Sequence, residues 1–104
     1  MTEPIGIKEL FSELVFKRNI IEDINKELKR QDELWGNQDH SFAEWIAILG
    51  EEFGEACQEV SEIRMSETIS DIIDAKHRLD EELIQVIAVC FRIIEKVRFQ
   101  NANS

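Results

Sequence analysis

The sequence predicts an all-α fold: an antiparallel helix bundle in one domain, residues 1–104, completed by homodimerisation. Three observations carry this. Helix breakers are few, with one Pro at position 4 and four Gly at 6, 36, 50 and 54, so long helices are the simplest reading. Apolar residues recur at steps of three and four through three long stretches. The last stretch is apolar on two faces, and a chain this short buries only a modest core alone, so a subunit partner is expected there.

The first helix is predicted from about Ile7 to Leu34, on the pattern Ile7, Leu10, Phe11, Leu14, Ile21, Ile24, Leu28. Trp35 to His40 breaks the period and reads as a loop, with Gly36, Asn37 and Asp39 as turn formers. Ser41 and Glu44 match a capping box, so a second helix starts there. Its core seam is Ile46, Leu49, Phe53, Ala56, Val60 and Ile63. The seam weakens around Met65 and Ser66, where a turn leads to Asp71. The last helix carries one seam at Leu79, Leu83, Val86, Cys90, Ile93 and Val97, and a second at Ile84, Ile87, Phe91 and Ile94. The terminal segment Asn101 to Ser104 is expected to fray.

Twenty-two acids against twelve bases give a formal charge of −10. That argues against nucleic acid as a partner, because phosphate neutralisation needs a basic footprint. A nucleotide substrate remains open, since a bound metal reverses the local sign. No apolar run suggests a signal peptide or a membrane span. Cys57 and Cys90 form no CxxC pair and read as reduced core thiols of a cytoplasmic protein.

The chemistry concentrates in the acids. Glu51, Glu52 and Glu55 fall within barely more than one helical turn, where like charges repel by a few tenths of a kcal/mol. Glu82 and Gln85 repeat the spacing on the last helix. Glu52 and Glu55 each precede a seam residue (Phe53, Ala56), as do Glu82 and Gln85 (Leu83, Val86). All four therefore sit on one flank, about 100° round from the core. Two antiparallel helices packed along these seams bring Glu52 and Glu55 opposite Glu82 and Gln85, with Glu51 at the outer edge. Gly54 leaves room for a close approach. Clustered oxygens suit a hard cation such as Mg²⁺, which commonly brings a phosphate-bearing substrate.

A solvated acidic face is the plain alternative, and Glu59 and Glu62 continue the flank in keeping with it. A di-iron carboxylate site needs two Glu-x-x-His motifs. Only His40 and His77 exist, and only His77 has an acid three residues earlier, Asp74, so that reading is set aside. In the loop, Trp35, Asn37, Gln38 and His40 are of a type to stack on and hydrogen-bond a nucleobase, or simply to close the bundle end. Lys76, Arg78, Arg92, Lys96 and Arg98 are the basic residues of the last helix region. Some of them pair with acids, and one or two are candidates for phosphate contact. No Gly-rich phosphate loop and no Ser/His/Asp order is present.

Three segments together resemble a known family. They are Trp35-Gly-x-Gln-x-His40-Ser41, then Glu44-Trp45-x-x-Ile48-Leu49-Gly50-Glu51-Glu52-x-Gly54-Glu55, then Glu81-Glu82-Leu83-Ile84-Gln85-Val86. They are similar to the small MazG-like proteins of the all-α nucleoside triphosphate pyrophosphohydrolase superfamily, over about residues 30 to 97. The resemblance implies hydrolysis of a (deoxy)nucleoside triphosphate to the monophosphate and pyrophosphate. It implies Mg²⁺, or Mn²⁺ in its place, held by Glu51, Glu52, Glu55 and Glu82, with Gln85 where the family usually carries Asp. A neutral amide lowers the charge of the site by one. Trp35, Gln38 and His40 match the base-holding loop. Relatives assemble as dimers or dimers of dimers, with the subunit interface closing the nucleotide site. The alternative from a different class is a non-catalytic nucleotide-binding or protein-interaction bundle with a weakened metal site.

Overall fold

Local signals place the helix ends. A computed structural model of the chain describes residues 6–36 and 38–102, and it is all-helical: α1 (Ile7–Trp35), α2 (Phe42–Met65) and α3 (Ile69–Ala102). The Gly6 N–H donates to the Glu9 carboxylate at 3.1 Å and opens α1. Gly36 closes it from a positive φ of 68°, a conformation glycine adopts without steric cost, and donates its N–H to the Asp32 carbonyl. Trp35 therefore ends the helix and does not belong to the loop. The Ser41 capping box forms in both directions: Glu44 N–H donates to Ser41 Oγ, and Ser41 N–H to Glu44 Oε1, each at 3.1 Å. Helix α2 stops at Met65, where Ser66 is extended. Thr68 Oγ1 then accepts from the Asp71 N–H to start α3. The expected fraying is not seen at Asn101 and Ala102, which continue α3. Pro4, Asn37, Asn103 and Ser104 lie outside the described residues.

Helices α2 and α3 form an antiparallel hairpin: Lys96 reaches the Phe42 ring, Glu52 meets Glu82, and Arg78 pairs with Glu59. Helix α1 lies against α3 in the same direction as α3. Arg92 fastens it by donating to the Leu28 carbonyl at 3.2 Å and to Asp32 Oδ1 at 2.6 Å. The tightest packing uses small residues, with Ala75 and Ala88 fully buried and Ala56, Val89, Trp45 and Leu28 nearly so.

The inward line differs from the expected seam. On α2 it runs through Trp45, Leu49, Glu52, Ala56, Glu59 and Ile63, while Ile46, Phe53 and Val60 face outward. On α3 it runs through Ala75, Leu79, Glu82, Val86, Val89 and Ile93, while Leu83, Ile87, Phe91, Ile94 and Val97 face outward. At 100° per residue, the outward apolar lines of both helices fall on one side of the hairpin, away from α1. Phe53 at 60 % and Phe91 at 45 % exposure mark that bare face. Glu52 and Glu82 sit on the inner line itself, not on a flank of it, while Glu55 stays exposed beside it. Cys57, expected in the core, is exposed, and Cys90 is half-buried. A Cβ on Gly50 or Gly54 would meet nothing within 4 Å, so the expected close approach at Gly54 is not made inside the chain. The amino-terminal half of α1 is also bare, with Ile7, Leu10, Phe11, Leu14 and Ile21 all exposed.

These bare surfaces show in the dimensions. The radius of gyration is 17.6 Å, against about 13 Å for a compact chain of this length. The accessible surface is 8494 Å², against about 6,000 Å² expected from the mass.

Candidate functional site

The helical step of three puts Glu52 and Glu55 on the same side of α2, and the antiparallel hairpin sets Glu82 of α3 across from them. One carboxylate oxygen from each of the three lies within 4.8 Å of the others. Glu52 and Glu82 are half-buried and Glu55 is exposed. Glu51 is exposed and stands outside this group, one residue round the helix. Gln85 is half-buried one turn beyond Glu82 and lines a neighbouring cavity.

The electrostatics are those of charges crowded without a counter-ion. Three ionised carboxylates can only accept hydrogen bonds, and Glu52 Oε2 and Glu82 Oε2 are buried with no donor. Burial pushes the Glu82 carboxyl up to about 7, helped by hydrogen bonding to Glu55 and by the Glu55 and Glu52 charges. Glu52 is raised by burial first and then by Glu55, with Glu27 and Glu51 adding to it. Near neutral pH a proton on Glu82 gives the trio its missing donor. A divalent cation does the same more completely. Octahedral Mg–O bonds of about 2.1 Å need oxygens about 3 to 4 Å apart, and the three carboxylate oxygens here lie within 4.8 Å of one another. The donor set, all hard oxygen, fits such an ion.

Beside the acids lies a cavity of about 220 Å³ walled by Trp35, Gln38, His40, Trp45, Glu52 and Gln85, with Arg30 at its edge. The His40 ring stands edge-on to Trp45, centroids 4.8 Å apart at 86°. Trp35, Gln38 and His40 are thus brought together, as the loop composition suggested; Asn37 lies outside the described residues. Two aromatic faces, two amides and an imidazole are suited to one flat heterocycle. The volume is below the roughly 300 Å³ of drug-sized sites, so the cavity takes one end of a larger ligand. Glu52 belongs both to this wall and to the acid trio.

No family model, curated protein or solved structure matches this chain.

Three basic residues of α3 have partners away from the cavity. Arg78 binds Glu59 at 2.9 Å, Arg92 holds Asp32, and Lys96 approaches Asp39 at 3.7 Å and the Phe42 ring. Three functional candidates escaped the sequence reading. Trp45 looks like an ordinary first-turn residue of α2, and only the fold shows it lining the same cavity as Trp35. Arg30 and Glu27, a pair at i,i+3 on α1, carry no signal that distinguishes them from a surface ion pair. Among the described residues no helix is long and apolar enough to cross a membrane.

Proposed function

We propose that the chain is a Mg²⁺-dependent pyrophosphohydrolase of (deoxy)nucleoside triphosphates, related to the MazG-like proteins. The observation that carries this reading is the double membership of Glu52. A base-sized aromatic cavity and a three-carboxylate cluster share a wall, so a ligand seated in one extends its other end over the second. A nucleotide has that shape and chemistry: a flat base, then a polyphosphate that travels with a divalent cation.

In this reading Trp35 and Trp45 sandwich the base, while Gln38 and His40 read its edge. Glu52, Glu55 and Glu82 hold the cation, and Glu51 adds an oxygen from the outer edge. Bound there, Mg²⁺ (or Mn²⁺) supplies charge neutralisation of the phosphates and a water acidic enough to attack. Water would add to the α-phosphorus and release its proton to solvent, the bond from that phosphorus to the bridging oxygen would break, and pyrophosphate would leave with the electron pair. The inner-line placement of Glu52 and Glu82 keeps these two fixed before substrate arrives, so less reorganisation is left for the reaction.

The bare face of the α2/α3 hairpin belongs to a second copy of the chain. The surface in excess of a compact monomer, roughly 2,500 Å² per chain by the mass relation, is on the scale of obligate dimer interfaces. Pairing the two hairpins back to back makes a four-helix bundle and leaves the acids on the outer sides.

Gln85 favours a second reading, in which the chain binds a nucleotide and does not turn it over, because an amide replaces a charge beside the trio. One experiment separates the two: incubation with each (d)NTP and Mg²⁺ or Mn²⁺, followed by detection of monophosphate and pyrophosphate. Product from at least one nucleotide is expected. Its absence with every nucleotide and both ions removes the enzyme reading.

A further inference from the structure

We propose that Arg30 receives the phosphate chain of a nucleotide whose base lies between Trp35 and Trp45. This rests on the nucleotide reading of the cavity, and it assigns the phosphate contact to α1, not to the basic residues of α3.

Arg30 stands at a junction. With Gln85 it forms the wall shared by the aromatic cavity and a second cavity of about 390 Å³, which lies between α1 and the first half of α3. Arg30 and Glu52 line the aromatic cavity together, and the second cavity is otherwise lined by Asp23, Lys26, Glu27, Asp80, Glu81 and Ile84. Its position is fixed on two sides. Nε donates to Glu27 Oε1 at 2.8 Å and one terminal nitrogen to Glu27 Oε2 at 2.7 Å. Glu27 is itself held, accepting from Gln31 Nε2 at 3.0 Å. The Arg30 Cζ stands 5.6 Å from the centroid of the Trp35 ring. The other terminal nitrogen makes no hydrogen bond among the described residues, so part of the donor fork remains for a ligand.

The charge balance points the same way. A triphosphate brought against Glu52, Glu55 and Glu82 needs positive charge beyond one cation, and the aromatic cavity is lined by Arg30 and by none of the basic residues of α3. Arg30 lies near enough to Glu52 for the two charges to favour each other. Arginine offers phosphate a bidentate, planar contact that lysine does not. Lys26 also lines the second cavity but not the aromatic one, which makes it the natural comparator.

Both tryptophans of the chain line the aromatic cavity, so intrinsic fluorescence of the full chain reports ligand binding directly. Each common nucleoside and its triphosphate are titrated with Mg²⁺ into the wild-type protein and into Arg30→Gln, Arg30→Lys and Lys26→Gln. Wild type should bind a triphosphate more tightly than its nucleoside. Arg30→Gln should weaken the triphosphate roughly ten- to a hundred-fold, the range for a charge-assisted hydrogen bond, and the nucleoside less than about three-fold. Arg30→Lys should fall between, and Lys26→Gln close to wild type. Mn²⁺ titrated alone should bind Arg30→Gln at least as tightly as wild type. Equal losses for nucleoside and triphosphate would mean that Arg30 only supports Trp35, and that overturns the proposal. So does a larger loss in Lys26→Gln, or a wild-type protein that no triphosphate perturbs. Triphosphate binding that depends on Arg30, with no pyrophosphate released, upholds this inference and removes the enzyme reading. Turnover whose KM is unchanged in Arg30→Gln does the reverse.

Discussion

Glu82→Gln should make the metal-free protein more stable and destroy its function. The substitution keeps shape and volume, removes one of three crowded charges, and provides a permanent N–H donor for Glu52 and Glu55. The wild-type carboxyl is raised from 4.5 to about 7. A group raised in the folded state contributes its stability below its unfolded pKa and loses it as pH rises through the folded value. The rise corresponds to a ceiling of about 3 kcal/mol at 1.4 kcal/mol per factor of ten. Solvent at the exposed Glu55 side screens part of that, so about 1 to 2 kcal/mol is expected at ~pH 8. For a chain of this size that is a Tm gain of about 4 to 16 °C. Thermal unfolding followed by circular dichroism, with chelator and at fixed protein concentration, measures it. Wild-type Tm should fall between ~pH 5 and ~pH 8 while the variant changes little. Added Mg²⁺ should raise wild-type Tm and leave the variant unmoved. A variant less stable than wild type at ~pH 8 without metal, or a wild type that gains stability over that range, would refute the reasoning.

Three other outcomes follow. Gln85→Asp places a further charge beside Glu82; it should lower metal-free Tm at ~pH 8 and raise Mn²⁺ affinity several-fold by calorimetry. Arg92→Met removes the side-chain bonds that tie α3 to the Leu28 carbonyl and to Asp32 of α1, costing about 1 kcal/mol, and should speed proteolysis within α1 while the α2/α3 hairpin stays protected. Phe91→Asp on the bare hairpin face should convert a dimer to monomer in analytical ultracentrifugation, with helicity largely retained; an unchanged sedimentation coefficient would mean that this face is not the contact.

Local features were legible in the sequence. The Ser41–Glu44 box and the break at Met65–Ser66 each depend on neighbours within four residues and form where expected, while the first helix runs one residue past its expected end, to Trp35. The pairing of Glu52 and Glu55 with Glu82 was legible too, because it needs only helical spacing and an antiparallel hairpin. The seams were not. Ile46, Phe53 and Val60 are periodic, but periodicity does not say whether an apolar line meets its own chain or another molecule. With Glu52, Glu59 and Glu82 on the inner line, the longest apolar lines were left facing outward. Trp45 and Arg30 stayed hidden for a related reason: each gains its meaning from α1 crossing α3, a long-range placement that no local pattern encodes.

On the nucleotide reading proposed above, the shared carboxylate of Glu52 has an evolutionary consequence. Where recognition and cation placement use separate residues, base preference can drift by changing one wall. Here any change that moves the Glu52 side chain to fit a new base also moves an oxygen of the acid trio. Retuning is therefore confined to the Trp35, Gln38 and His40 side of the cavity, and preference among bases should vary through the α1–α2 loop while the hairpin stays fixed.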